Sequence, residues 1–96
     1  MLSSKQRSYL RKLANSHDAL FQVGKGGIAP GIIKQVQEAL EARELIKVHV
    51  LDNSDLSPRE ACNIMAEKTG AEGVQVVGNK FVLYKRSKEN PKIELP

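Results

Sequence analysis

The chain has 96 residues, of which 15 are Lys or Arg and 11 are Asp or Glu, so its formal net charge is +4. This length fits one small domain, and a hydrophobic fraction of 41% is enough for a core. The single cysteine excludes a disulfide framework and a multi-cysteine zinc site, and no apolar run reaches the ~18 residues that a membrane-spanning helix needs.

The first half of the chain predicts two helices with a strand between them. Ser3 and Gln6 can form a capping box, which indicates a helix that ends near Asn15. A short apolar strand follows over 19–23 and stops at a glycine-rich loop. A second helix is predicted over 30–43, because its first residue is a proline and its apolar residues recur at helical spacing.

The second half predicts a strand, a helix and a hairpin. Residues 45–51 alternate between apolar and polar side chains, as a half-buried strand does. Ser57 opens a second capping box, and Gly70 is suited to end the helix that follows. Two apolar stretches, 74–77 and 81–84, flank a Gly-Asn pair and predict a β-hairpin.

The predicted element order, α-β-α-β-α-β-β, indicates one small domain. Helices between strands imply right-handed crossovers with parallel pairing, and the hairpin adds an antiparallel strand. We therefore expect a two-layer α/β fold with one mixed four-stranded sheet over residues 1–87. Residues 88–96 contain two prolines and are expected to form a short flexible tail that is frayed or only loosely docked.

The charge is unevenly distributed along the chain. Residues 1–34 contain six Lys or Arg against one Asp, residues 35–72 contain four against eight Asp or Glu, and residues 73–96 contain five against two. If the two ends meet in the fold, the protein has a basic side and an acidic side. A basic side is typical of proteins that bind phosphate polymers, although a solvated surface with chance clustering would look the same.

The glycine loop Gly24-Lys25-Gly26-Gly27 is the most informative segment, because it lies between a predicted strand and a predicted helix. Glycines permit positive φ and close approach of another backbone, and the helix that follows directs free N–H groups toward the loop. Lys25 adds a cation, so the loop suits a phosphodiester, as the G-x-x-G loop of KH domains does. A plain tight turn is the alternative. A Walker A loop is excluded because the G-K-[ST] ending is missing, and a dinucleotide fingerprint matches poorly.

Other cations are candidates for phosphate contact on either side of this loop. Those in the predicted helices could equally be solvated, and those after the last strand could protect a sheet edge from aggregation. The candidates are Lys5, Arg7, Arg11, Lys12, Lys34, Lys85 and Arg86. His17, His49 and Cys62 lack partners at ligand spacing, so no metal site and no nucleophile are predicted.

Several stretches together resemble a known family. The stretches are Ser4-Lys5-Gln6-Arg7, Leu10-Arg11-Lys12-Leu13-Ala14, Val23-Gly24-Lys25-Gly26-Gly27, Glu44-Leu45-Ile46-Lys47-Val48, Thr69-Gly70-Ala71, Val74-Gln75-Val76-Val77-Gly78 and Val82-Leu83-Tyr84-Lys85-Arg86. In these the chain resembles the CRM domain (chloroplast RNA splicing and ribosome maturation) in its stand-alone bacterial, YhbY-like form. The resemblance implies a fold similar to the C-terminal domain of bacterial translation initiation factor three, with an added N-terminal helix. It also implies RNA binding through the glycine loop and an adjacent basic surface, in association with precursors of the large ribosomal subunit.

The leading hypothesis is a non-catalytic, cytoplasmic RNA-binding protein that acts in assembly of the large (50S) ribosomal subunit. Its partner would be ribosomal RNA, with ribosomal proteins as further partners, and it would need no cofactor, membrane or small-molecule substrate. The scarcity of aromatic residues, 4%, favours recognition of backbone shape over base stacking. The alternative is a protein-interaction module of a ribosomal or translation complex that touches RNA only incidentally. No set of residues supplies a nucleophile, a base and an oxyanion site together, so an enzyme is not predicted.

Overall fold

The computed structural model describes all residues from 1 to 96, and its elements follow the predicted order. The helices are α1 (Ser4–Ala14), α2 (Pro30–Arg43) and α3 (Pro58–Thr69), and the strands are β1 (Ala19–Val23), β2 (Leu45–Val50), β3 (Glu72–Val77) and β4 (Lys80–Tyr84). Most boundaries lie at or next to the predicted ones. The β3 strand starts at Glu72, two residues earlier than predicted. The prediction missed Glu72 and Gly73 because glutamate and glycine are poor strand formers and gave no strand signal.

Local side-chain chemistry sets the helix ends. At the start of α1 the Ser3 hydroxyl accepts from the Gln6 N–H at 3.1 Å, and the Gln6 side chain accepts from the Ser3 N–H at 3.0 Å. The start of α3 repeats this reciprocal pair with Ser57 and Glu60. Gly70 ends α3 in the left-handed conformation, with φ at 74°. Both predicted capping boxes and the predicted glycine stop are therefore confirmed.

The four strands form one mixed sheet in the order β1-β2-β4-β3. β1 is parallel to β2, whereas β4 is antiparallel to both β2 and β3. The ends of β1, β2 and β3 therefore meet the start of β4 at one edge, where Leu51 N donates to Val23 O at 2.8 Å and Val50 N donates to Asn79 O at 2.6 Å. We call it the loop edge, and it consists of residues 24–27, 51–56 and 78–79.

Both faces of the sheet pack against helices. Phe81 and Leu83 of β4 point into the larger core cluster, which includes buried residues of α2 and α3. Val82 and Tyr84, which alternate with them, point into a second cluster that contains Leu10 of α1. The α/β class and the mixed sheet are as predicted. The two expected layers are the sheet and the layer that α2 and α3 form on one of its faces. On the opposite face, α1 adds a third, partial layer.

The segment after β4, which was expected to be flexible, is anchored by a buried carboxylate. Glu44 is fully buried and accepts three backbone N–H groups: those of Lys92 at 2.6 Å, Ile93 at 2.7 Å and Ser87 at 2.8 Å. Burial raises the pKa of Glu44, but these three donors together outweigh burial, so the pKa lies below its ordinary value. The sequence spacing between Glu44 and its donors is 43 to 49 residues, so no local pattern predicts this anchor.

A second carboxylate and two apolar side chains complete the docking of the tail. Glu41, in the last turn of α2, accepts from the N–H groups of Lys88 and Glu89, each at 3.0 Å. The Lys88 N–H is the main reason why the pKa of Glu41 falls from 4.5 to about 2. Ile93 and Leu95 pack against the core cluster under α1. In the structure, residues 88–96 are therefore a docked strap rather than a free tail.

Candidate nucleic-acid interface

The glycine loop forms a tight turn with its lysine at the apex. The Gly27 N–H donates to Gly24 O at 3.1 Å, and Gly26 has a φ of 97°. This combination is typical of a type II turn, which requires positive φ at its third residue. Lys25 occupies the second position and is exposed, so its ammonium extends from the loop edge into solvent.

Each glycine of the loop meets a distinct backbone requirement. A Cβ on Gly24 would lie 3.3 Å from Leu51 Cδ1, so a glycine at this position lets the Leu51 side chain pack closely against the backbone. Gly26 and Gly27 both have positive φ, yet a Cβ on Gly26 would meet no atom within 4 Å. The Gly27 N–H is used within the turn, whereas the N–H groups of Lys25 and Gly26 donate to no protein atom. A tight turn thus explains the glycines, and it leaves two loop amides free for a ligand.

The helix after the loop begins without the side-chain cap that the other two helices have. Its N-cap is Ala29, which makes no capping hydrogen bond, and the first turn contains no acidic residue. Pro30 occupies the first helical position, and the Ile32 N–H donates back to Ala29 O at 3.1 Å. The positive end of the α2 dipole is therefore not neutralised by the protein, as an anion-binding helix terminus requires.

Three of the predicted cations lie on the elements that border the loop edge. Lys34 is exposed near the start of α2. Arg11 and Lys12 are exposed in the last turn of α1. Asn15, which caps this end of the helix, lines a cleft together with Lys80, so this end of α1 lies near the loop edge. The structure therefore brings Lys25, Lys34, Arg11 and Lys12 to the same end of the molecule.

Two other predicted cations bind the protein's own backbone. The Arg7 guanidinium donates to the carbonyl oxygens of Gly73 and Val74 on the β3 edge, the latter at 3.2 Å. The Lys85 ammonium donates to Thr69 O at 3.0 Å, at the carboxyl end of α3, where a cation also complements the helix dipole. Both side chains therefore make structural contacts, and phosphate contact by them stays a prediction.

The remaining two predicted cations lie away from the glycine loop. Lys5 is exposed in the first turn of α1, and Arg86 is exposed after the end of β4. Because β4 starts at the loop edge and has five residues, its far end is ~16 Å from that edge. The eleven predicted site residues therefore divide into a group at the loop edge and a group at the opposite end.

A cluster of polar residues that the sequence did not identify as a site lies beside the loop edge. It occupies the part of the sheet face that α1 leaves uncovered, and we call it the open face. It consists of Asn15, Gln22, Lys47, His49, Gln75 and Lys80. The alternation of apolar and polar residues in β2 predicted that Lys47 and His49 share a face. Their neighbours on β1 and β4 depend on the order of the strands in the sheet, and no sequence pattern predicted that order.

The side-chain cations of the protein form no ion pairs with its carboxylates. The single ion pair joins the N-terminal ammonium of Met1 to Glu72 at 3.3 Å, at the end of the sheet opposite the loop edge. At the loop edge, Asp52 accepts a long hydrogen bond of 3.5 Å from the Asn79 side chain. The loop edge itself contains one cation, Lys25, and two exposed carboxylates, Asp52 and Asp55, so the basic character of this end comes from Arg11, Lys12 and Lys34 on the bordering helices.

The structure contains no group of three His, Cys, Asp or Glu side chains arranged to hold a metal ion. Cys62 is buried, and burial raises the pKa of its thiol. None of the helices has both the length and the apolar character needed to span a bilayer.

Comparison with known proteins gives consistent results. The model of the CRS1/YhbY (CRM) domain family matches residues 2–85. "Probable RNA-binding protein YqeI" of Bacillus subtilis is 49% identical over 96 residues, which is the full length of both chains. A Haemophilus influenzae protein named "RNA-binding protein" is 35% identical over 95 residues, covering 99% of this chain and 95% of the relative.

A plant relative and a solved structure extend the comparison. The chloroplastic "CRM-domain containing factor CFM2" of Arabidopsis thaliana is 28% identical over 64 residues, which is 67% of this chain and 6% of the plant protein. The solution structure of the Staphylococcus aureus protein SAV1595 covers 100% of both chains, with 49% identity and a TM-score of 0.74. The likeness to a translation initiation factor domain stays a prediction. The chain belongs to the CRS1/YhbY (CRM) domain family.

Proposed function

We propose that this protein is a non-catalytic RNA-binding protein that holds RNA phosphates at the loop edge. The observation that carries the proposal is the exposed Gly24–Gly27 turn, with two free N–H groups and Lys25 at its apex, followed by a helix start with no side-chain cap. Free amides and an uncompensated helix dipole both favour an anion. The relatives named for RNA binding make RNA the anion that fits best.

Arg11, Lys12 and Lys34 would add affinity by releasing counterions from the bound RNA. Each cation that neutralises a phosphate makes the affinity more sensitive to salt, with a slope of ~0.7 to ~0.9 per phosphate. We assign Arg7 and Lys85 to the fold instead, because both donate to backbone carbonyls. We further propose ribosomal RNA of the large-subunit precursor as the partner and the cytoplasm as the place of action, as the family resemblance implies.

The test compares Gly27→Asp with Gly27→Asn. Both side chains are the same size, and both tolerate the φ of 74° at this position better than other residues do, so the pair differs mainly in charge. A carboxylate ~5 Å from a bound phosphate opposes binding by about 0.8 kcal/mol in bulk water and by more at lower effective dielectric. The Asp variant should therefore bind large-subunit precursor RNA at least about fourfold more weakly than the Asn variant.

Binding would be measured with purified protein and naked RNA at several salt concentrations. Steep salt dependence, together with the difference between Asp and Asn, would support the proposal. Equal affinity of the two folded variants would contradict the role of the loop. If the protein bound only when ribosomal proteins were present, the alternative of a protein-interaction module would replace RNA binding.

A further inference from the structure

The open face has a regular cross-strand arrangement. Gln22 of β1 pairs with His49 of β2, and His49 pairs with Lys80 of β4, so three polar side chains form one row across three strands. With neighbouring strands ~4.8 Å apart, the row is ~10 Å long. Lys47 lies two residues before His49 on the same face of β2. These side chains share one face because successive residues of a strand alternate in direction.

The face is cationic and contains no opposing charge. Lys47 pairs with Val82, so Lys47 and Lys80 are diagonal neighbours ~7–8 Å apart. They line a cleft of about 140 Å³, whose other lining residues, Asn15 and Gln75 among them, are polar or apolar and never acidic. Neither lysine lies within 4.0 Å of a carboxylate. Two neighbouring lysines thus line the cleft without a counter-ion from the protein.

The open face is continuous with the glycine loop. Gln22 precedes Gly24 by two residues, and Lys80 directly follows Asn79, whose carbonyl accepts from Val50 at the loop edge. An RNA strand that contacts the turn can therefore pass over the edge and onto the face. The face contains no aromatic side chain for base stacking, whereas amides and ammonium groups suit phosphate and ribose oxygens.

We propose that the open face is a second RNA-contact surface, which binds the sugar-phosphate backbone of the strand that leaves the glycine loop, with Lys47 and Lys80 as its phosphate ligands. This inference rests on the proposed function, because the same RNA occupies both surfaces. It assigns a role to Lys80 and to the part of the sheet face that α1 leaves uncovered.

The test uses the variant Lys47→Gln/Lys80→Gln and a matched control, Lys88→Gln/Lys92→Gln. The control removes the same charge from exposed tail residues, whose backbone bonds to Glu41 and Glu44 remain. Two single-stranded RNAs are compared: one of about four nucleotides, the length that a G-x-x-G loop clamps, and one of about ten.

The open-face variant should lose affinity for the longer RNA only. Two lost phosphate contacts reduce the salt slope by about 1.4, which corresponds to a loss of about 25-fold at 0.1 M salt. The control should stay within about twofold of the wild type for both RNAs. In the wild type, the backbone amide signals of residues 47, 49 and 80 should shift when the longer RNA is added, and this readout does not depend on the stability of any variant.

Several results would overturn the inference. Equal losses in the open-face and control variants, equal losses for both RNA lengths, or unshifted amide signals at 47, 49 and 80 would each remove the face from the RNA path. Shifts at these positions with a ribosomal protein but not with RNA would assign the face to a protein partner. The proposed function fails separately, if wild-type protein binds neither RNA or if Gly27→Asp and Gly27→Asn bind the short RNA equally.

Discussion

The buried carboxylate of Glu44 should dominate the stability of the docked tail, and Glu44→Gln removes its charge with little change in size. Glutamine keeps one acceptor oxygen but places an NH₂ group against N–H donors on the other side. If the amide nitrogen replaces Oε2, it faces the Ser87 N–H; if it replaces Oε1, it faces the N–H groups of Lys92 and Ile93. Either orientation leaves at least one buried donor without an acceptor.

The expected loss follows from ordinary hydrogen-bond energies. A buried donor left unsatisfied costs about 1–3 kcal/mol, and the bonds that remain lose the extra strength that a charged acceptor gives. Together these effects should lower the free energy of unfolding by about 3 kcal/mol. For a domain of this size, about 3 kcal/mol corresponds to a fall in Tm of roughly 12–24 °C.

Urea and thermal unfolding at pH 7, followed by circular dichroism, would measure this change. Glu41→Gln is the matched control, because its carboxylate is only half-buried and binds the exposed part of the same segment. The control should be destabilised clearly less than Glu44→Gln. A Glu44→Gln protein within about 0.5 kcal/mol of the wild type would show that the buried carboxylate does not stabilise the tail, since surface substitutions have effects of that size.

Two further predictions concern acid stability and RNA affinity. Because the folded pKa values of Glu41 and Glu44 lie below the ordinary value of 4.5, both contribute stability above that pH, and the contribution is lost as the pH falls toward the folded values, about 2 for Glu41. The Tm of the wild type should therefore drop between pH 5 and pH 2.5, and the drop should be smaller in a Glu41→Gln/Glu44→Gln variant. If the wild type and the double variant lost the same number of degrees, the two carboxylates would not be the source of the acid sensitivity. At the loop edge, Asp52→Asn removes a negative charge beside the proposed phosphate site and should tighten RNA binding about twofold to fourfold at low salt. Glu94→Gln on the tail should leave the affinity unchanged, and an Asp52→Asn protein that binds no better than this control would count against a phosphate at the loop edge.

Local sequence rules predicted the elements because the groups that set helix ends are close together in the chain. Ser3 with Gln6 and Ser57 with Glu60 are each three residues apart, and their reciprocal hydrogen bonds have the expected geometry. Gly70 adopts the left-handed conformation for the same local reason. Such signals require no knowledge of the tertiary fold, so they could be recognised in the sequence alone.

Long-range contacts could not be predicted in this way. Arg7 meets backbone carbonyls 66 and 67 residues further along the chain, and any arginine in a helix looks equally free in the sequence. The capping box predicted α1 as a helix but did not show which face of the sheet this helix covers. The open face was missed for the same reason, because it exists only once β1, β2 and β4 are neighbours.

The central claim, that RNA phosphates bind at the loop edge, is tested most directly by NMR titration of labelled protein with large-subunit precursor RNA fragments. Phosphate binding there should shift the backbone amide signals of Lys25 and Gly26 strongly, because their N–H groups are free to donate to phosphate, and the shifts should diminish as salt is raised. Signals at the opposite end of the sheet, such as that of Glu72, should stay in place. Saturable RNA binding that leaves the Lys25 and Gly26 signals unmoved would contradict the account.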